Sequence, residues 1–192
     1  MAGCTTSELV DVWSDSSFHS PPLTKFLVVS VAKNPVKRRI WEDAFTGDLV
    51  RHNVAATASY RVFPDSPPDT NQVLESVRSH NYDGILITSQ LPPETKSQYM
   101  RGYVTSEQEM RYDPRRDRFV TYYHDIEHAG YVDSETVNIR TIDVWATANE
   151  GRMIWSGTSR SSEPNSTPAV RPEIVRLVMS DLTRRGIIAA DK

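Results

Sequence analysis

His124, Asp125, Ile126, Glu127 and His128 put four potential metal ligands into five consecutive positions, with the histidines at i and i+4. On a helix that spacing would bring both imidazoles to one face, as in zinc-binding helices. The run Phe119 to Asp125 alternates like a strand instead, so successive side chains diverge and a solvated hairpin tip is the simpler reading. No metal is expected, His124 and His128 being weak candidates only. Lys33, Asn34, Lys37 and Arg38 form a second cluster, at the end of an apolar run and the start of a helix, where open parallel sheets hold phosphates. That loop contains Pro35 and no glycine, so its amides cannot wrap a pyrophosphate. It is a candidate anion site, with an ordinary helix start as the plainer reading. Nucleophilic chemistry lacks a GxSxG elbow, and the single cysteine, Cys4, stands near the amino terminus. Neither a catalytic residue nor a cofactor is expected.

Tyrosine and arginine carry a different signal. Tyr99, Tyr103, Tyr112, Tyr122, Tyr123 and Tyr131 are six of the eight tyrosines, interspersed with Arg101, Arg111, Arg115, Arg116 and Arg118. Both residue types are enriched at protein interfaces. Tyr99, Arg101, Tyr103, Tyr112, Arg115 and Arg116 are therefore the candidate interaction surface, for a second copy or another protein. The alternative is that some tyrosines pack a sheet while the arginines solvate a loop.

The elements that must position these residues begin with Lys25 to Asn53. Phe26 to Ala32 reads as a strand buried on both faces. Val36, Ile40, Trp41, Ala44, Phe45 and Leu49 then recur at steps of three and four, which predicts an amphipathic helix over 36–52. A second strand is expected over Ala55 to Phe63, a second helix from Asp69 or Thr70 to about His80, and a third strand over 84–90. Leu91 to Arg118, with three prolines and many charges, reads as a loose hairpin or a mobile loop, too charged and broken to span a membrane. Val132 to Ala146 and Arg152 to Ser159 pair as antiparallel strands, the first with a bulge or burial on both faces. A last helix over 171–185 buries Ile174, Leu177, Val178 and Leu182 and stops at Gly186. The fold class is thus α/β: a βαβαβ parallel core extended by an antiparallel meander, with a covering carboxy-terminal helix. Ile40, Phe45, Val29, Ile87 and Leu177 are expected to share one core.

Composition bounds the rest. The 192 residues are 38% hydrophobic and 24% charged, which suits a single domain over 23–192 preceded by a polar tether over 1–22. A formal net charge of -3 speaks against a general nucleic-acid binder. No window holds the ~20 apolar residues of a membrane-spanning helix. No charged segment followed by an apolar one opens the chain, so export would rest on a signal already removed.

Two resemblances follow from particular residues. Ala2-Gly3-Cys4 resembles the end of a bacterial lipoprotein signal, with Met1 where leucine is usual, as an added start methionine would give. It implies a lipid on Cys4 as the one membrane contact, on the periplasmic side of the envelope. The strand KFLVVSVAKNP, the helix RRIWEDAF, the dipeptide SY opening the second strand, YDGILIT, IDVWATANEGRMIWSGTS and a late helix ending in RRG together resemble a group of uncharacterised bacterial lipoproteins. That group is similar in element order to the curli secretion-channel lipoproteins and to the amino-terminal, anticodon-binding-domain-like domain of the Tol-system periplasmic protein. The resemblance covers roughly residues 12–188 and implies fold and envelope location but no active-site residues. The expectation is a lipid-anchored periplasmic interaction or assembly module. The alternative is a small-molecule or nucleotide-binding α/β protein, an enzyme being one form of it, with its site at the carboxy ends of Val31 and Thr88.

Overall fold

The computed structural model describes residues 7–148, 151–162 and 170–190. In chain order its elements are β1 (Ser7–Ser14), β2 (Lys25–Val31), α1 (Pro35–Arg51), β3 (Ala55–Ala58), α2 (Thr70–His80), β4 (Gly84–Gln90), β5 (Glu94–Met100), β6 (Tyr103–Asp113), β7 (Arg118–His128), β8 (Tyr131–Ala146), β9 (Arg152–Ser161) and α3 (Val170–Arg184). Where one domain over 23–192 is expected, Thr95–Glu135 forms a compact unit of its own and the segments on either side form another.

The larger unit is built on the strand order β1-β9-β8-β4-β2-β3. β2 pairs in parallel with β3 and β4, and β4, β8, β9 and β1 pair antiparallel. This is the expected α/β class. Phe26, Leu27, Val28, Val29 and Ser30 are all buried, as a strand covered on both faces requires. Alternation then divides the core in two. Phe26, Val28, Leu86, Ile142 and Val144 face Trp41, Phe45 and Leu49 of α1 and Ile174, Val178 and Leu182 of α3. Leu27, Val29 and Ile85 face the other way, with Tyr82 and with Val73 and Val77 of α2. The single core expected for Phe45, Val29 and Ile87 is therefore two cores, because neighbouring residues on a strand point to opposite faces. Ile40 is 39% exposed, and Leu177 is only half-buried.

α1 begins where Asn34 caps it and Pro35 opens it. Its buried stripe is Arg38, Trp41, Glu42, Phe45 and Leu49. The stripe is rotated from the one the apolar residues suggest, since a buried ion pair takes two of its positions. Asp69 and Gln72 form a reciprocal capping box on α2, and Asn81 ends that helix in the left-handed region. Gly186, at φ +70, follows α3 as its stop.

Residues 7–14, expected within a tether, are the edge strand β1. A bulge between Val10 and Trp13 shifts its register on β9, and Leu9, Val12 and Phe18 pack on the larger core. The bulge separates the inward residues Leu9 and Val12 by three positions, which erases the period-two signal. The tether reading is corrected for this stretch; Cys4 lies outside the described residues. The second strand is also shorter than expected, ending at Ala58 in a 3-10 turn over Ser59–Arg61.

Candidate interaction surface

The smaller unit is a β ribbon. β6 and β7 pair antiparallel over eleven residues each, from Tyr103↔His128 to Asp113↔Arg118, and form a two-stranded sheet of their own. β5 pairs with β8, the Ser97 hydroxyl lying 3.2 Å from that of Ser134. The segment read as a loose hairpin or loop is thus a long regular hairpin. Its prolines do not break it, because Pro92 and Pro93 precede β5 and Pro114 sits in the turn.

Register sorts its side chains. One face carries Tyr103, Thr105, Glu107, Glu109, Arg111 and Asp113 opposite His128, Ile126, His124, Tyr122, Val120 and Arg118; the other carries Val104, Ser106, Gln108, Met110 and Tyr112 opposite Glu127, Asp125, Tyr123, Thr121 and Phe119. On the first face Arg111 lies 2.9 Å from Glu109, and His124 Nε2 is 3.2 Å from the same carboxylate. The Arg111 contact holds the Glu109 carboxyl below its ordinary range, and His124 adds to it. On the second face Tyr112 meets Phe119 edge-on, their centroids 5.4 Å apart. The Tyr112 hydroxyl donates to Asp117, which pushes the phenol up.

The six expected contact residues separate into two places. Tyr99 and Tyr103 lie by the breaks at Arg101-Gly102 and Ala129-Gly130, where they line a shallow hollow of about 390 Å³ with Glu127 and His128. Tyr103 stacks on His128 at 4.5 Å. Only glycine fits at position 102, since a Cβ there would lie 2.5 Å from the His128 carbonyl oxygen. Tyr112, Arg115 and Arg116 lie at the turn, nine strand positions on from Tyr103, or about 30 Å. The sequence reading omitted Met110 and Phe119 and left Tyr123, one of its six tyrosines, out of the contact list, although the structure exposes them by 71%, 70% and 69%. The signal for them was alternation on both sides of the turn Asp113-Pro114-Arg115-Arg116-Asp117.

The other candidates are used by the fold. Asn34 Oδ1 accepts from the amides of Val36 and Lys37 at 2.9 and 3.1 Å, occupying donors an anion would need. Arg38 is buried and donates to Glu42 and Ser59 at 3.0 and 2.8 Å. The anion site is therefore corrected to a helix cap and a buried ion pair, leaving Lys33 and Lys37 exposed beside them. Glu42 Oε1 also accepts from the Ser30 amide and the Ser59 hydroxyl, and Oε2 from the Tyr60 amide. That carboxylate turns the chain after β3, which is why the strand stops short. Arg140 fills the region beyond Thr88. It lies 3.7 Å over the Trp41 ring and donates to Thr88 and Gln90, and burial lowers its pKa to about 10. His124 and His128 share a strand face four positions apart, about 13 Å along the ribbon, and His128 bonds Thr105 at 3.0 Å. No group of three or more potential metal ligands converges among the described residues, and no described helix is long and apolar enough to cross a membrane.

No family model matches the chain, and no curated protein matches it in sequence. Among solved structures, a PelC dodecamer from Paraburkholderia phytofirmans is similar at a TM-score of 0.49 and 15% identity, covering 97% of this chain and 100% of that one. A single-substitution variant of the same PelC gives 0.48 and 14%, over 97% and 99%. A PDZ domain protein from Parabacteroides distasonis gives 0.40 and 10%, over 94% of this chain and 36% of its own. At these scores the reading of the chain rests on its own residues.

Proposed function

We propose that the protein is a lipid-anchored interaction or assembly module of the bacterial envelope, held on the periplasmic side through Cys4, and that the β6-β7 ribbon joins it to further copies of itself. The observation that carries this reading is the ribbon. A two-stranded hairpin is marginal in water, yet this one runs for eleven residue pairs. It leaves the outer backbone edges of β6 and β7 without a neighbouring strand among the described residues. Such edges are templates for another strand. Charge favours a copy of the same ribbon: setting β7 beside the next copy's β6 in the same register repeats the pairings Glu107 with His124 and Asp113 with Arg118, whereas β6 beside β6 would bring acids together.

Light scattering on the full chain tests this. The expected result is a mass above the monomer that falls to the monomer when residues 103–128 are removed and Gly102 is joined to Ala129. A wild-type monomer at tens of micromolar would end the self-association reading. The anchor is supported by Ala2-Gly3-Cys4, and only Thr5 and Thr6 separate Cys4 from β1. A lipid there would hold the first residue of β1 within about 10 Å of the modified cysteine. Mass spectrometry of protein made with a lipoprotein signal ahead of Cys4 should show a lipid adduct that Cys4→Ala removes; an unmodified thiol would refute the anchor.

A further inference from the structure

We propose that the turn end of the ribbon is a docking site for an anionic lipid surface, a membrane contact separate from Cys4. It rests on the reading of the ribbon as the interaction element and names what its far end touches. Charge along the ribbon is polarised. Between Met110 and Phe119 there are four arginines, Arg111, Arg115, Arg116 and Arg118, against Asp113 and Asp117. Asp113 lies 3.6 Å from Arg116, and Asp117 is engaged by Tyr112. The side chains of Arg115 and Arg118 form no ion pair within 4 Å among the described residues, although the Asp113 carboxylate accepts from the Arg115 amide and stands opposite Arg118 in the register. Towards the glycine breaks the sign reverses: positions 103–109 and 120–128 carry Glu107, Glu109, Asp125 and Glu127 and no lysine or arginine, with Arg111 reaching back to Glu109 and Arg101 lying just beyond at the break. A negatively charged plane would therefore attract the turn and repel the stem.

The apolar residues are segregated in the same way. Met110, Tyr112, Phe119 and Tyr123 share one face at the turn end, all exposed. Arg111 and Arg118 stand on the opposite face and Arg115 and Arg116 in the turn, so with the turn against the headgroup region the rings can meet the acyl boundary while the turn guanidiniums meet phosphate. Length decides between resting on the bilayer and crossing it. From the Gln108-Tyr123 row to the Tyr112-Phe119 row is four residues, or about 13 Å. That exceeds the ~5 to 10 Å depth of interfacial insertion by only a few ångström and falls well short of the ~25 Å apolar band of a membrane-spanning barrel. Asp125 and Glu127 continue the same face and would stop it going deeper.

Vesicle flotation with the full chain carrying Cys4→Ser, so that no anchor contributes, tests the site. The protein should float with vesicles of equal phosphatidylglycerol and phosphatidylcholine and stay behind with phosphatidylcholine alone. Arg115→Glu with Arg116→Glu, both in the turn and outside the paired strands, should weaken flotation on the order of tenfold or more, as loss of two cations near an anionic surface implies. Met110→Ser with Phe119→Ser should weaken it as well. Both variants should melt like the parent, and their lipid-free mass by light scattering should not change. The charge pair lies at the exposed turn, so it keeps the test valid if the apolar pair misfolds. Equal binding to both vesicles, binding to neither, or charge variants that float like the parent would overturn the proposal. So would a loss of lipid-free mass in the Met110 and Phe119 variant, which would make this face a protein contact. A monomer that still floats with anionic vesicles would instead retire self-association and leave the lipid site standing.

Discussion

At the residue scale the chain's charges divide into those it buries and those it displays. Glu42 is fully buried and accepts from Ser30, Arg38, Ser59 and Tyr60. A buried ion pair adds little against an apolar substitute, but breaking it strands the remaining charge. Glu42→Ala should therefore cost about 3 to 5 kcal/mol in urea unfolding, and a loss under about 1 kcal/mol would show that Arg38 finds water. Asp181 is a second buried carboxylate, accepting from the Trp155 indole at 2.8 Å and Arg185 at 2.6 Å, with Arg184 beside it. Burial pushes its pKa up, but the Trp155 hydrogen bond and the two arginines outweigh that and hold it below the ordinary carboxylate value. A depressed folded pKa contributes stability above the unfolded value, and the contribution is lost as pH falls through the folded one. Asp181→Asn should thus be less stable than the wild type at pH 6, with the gap narrowing as pH drops below about 4. A gap that stays constant between pH 6 and pH 2 would show that this carboxylate does not titrate with folding.

At the element scale the informative case is β1. Six of its eight residues pair with β9, and Leu9 and Val12 pack on the core despite the bulge at Val10 to Trp13. Amides of a solvated tether exchange at once, whereas those in a ladder wait for opening. Hydrogen exchange should therefore show slow amides in the first half of β1 from Leu9 onward, and Leu9→Ala with Val12→Ala should cost about 2 kcal/mol. Uniformly fast exchange over 7–14 would mean the strand is not held in solution. In the ribbon, by contrast, periodicity was present in the residues but masked by their polarity. Neither face of β6-β7 is apolar along its length, so the usual inside-outside signal is missing, and only the pairing register shows which aromatics stand together.

At the scale of the whole molecule, both apolar cores of the larger unit are assembled without any residue from 95–135. Replacing Thr95–Glu135 by a short turn should leave the larger unit folded, with stability changed by roughly 1 kcal/mol or less, as expected for shortening a surface connection. The shortened protein should lose self-association. Loss of the cooperative unfolding transition would show that the ribbon belongs to the core after all.

Local chemistry was enough to determine the helices and the parallel strands. Apolar runs such as Phe26 to Val31, the caps at Asn34 and Asp69, and the stop at Gly186 are signals contained in a few adjacent residues. The Tyr- and Arg-rich stretch stood out for the same reason. Tertiary structure alone decided which residues of α1 are buried, because the Arg38-Glu42 pair is tolerable inside only when Ser30, Ser59 and Tyr60 arrive from other elements to satisfy it. It decided that β1 is a strand, since an edge with a bulge is defined by its partner β9 and not by its own pattern. It also gathered Met110, Tyr112, Phe119 and Tyr123 onto one face, because strand register brings together residues that are separated along the chain by a turn.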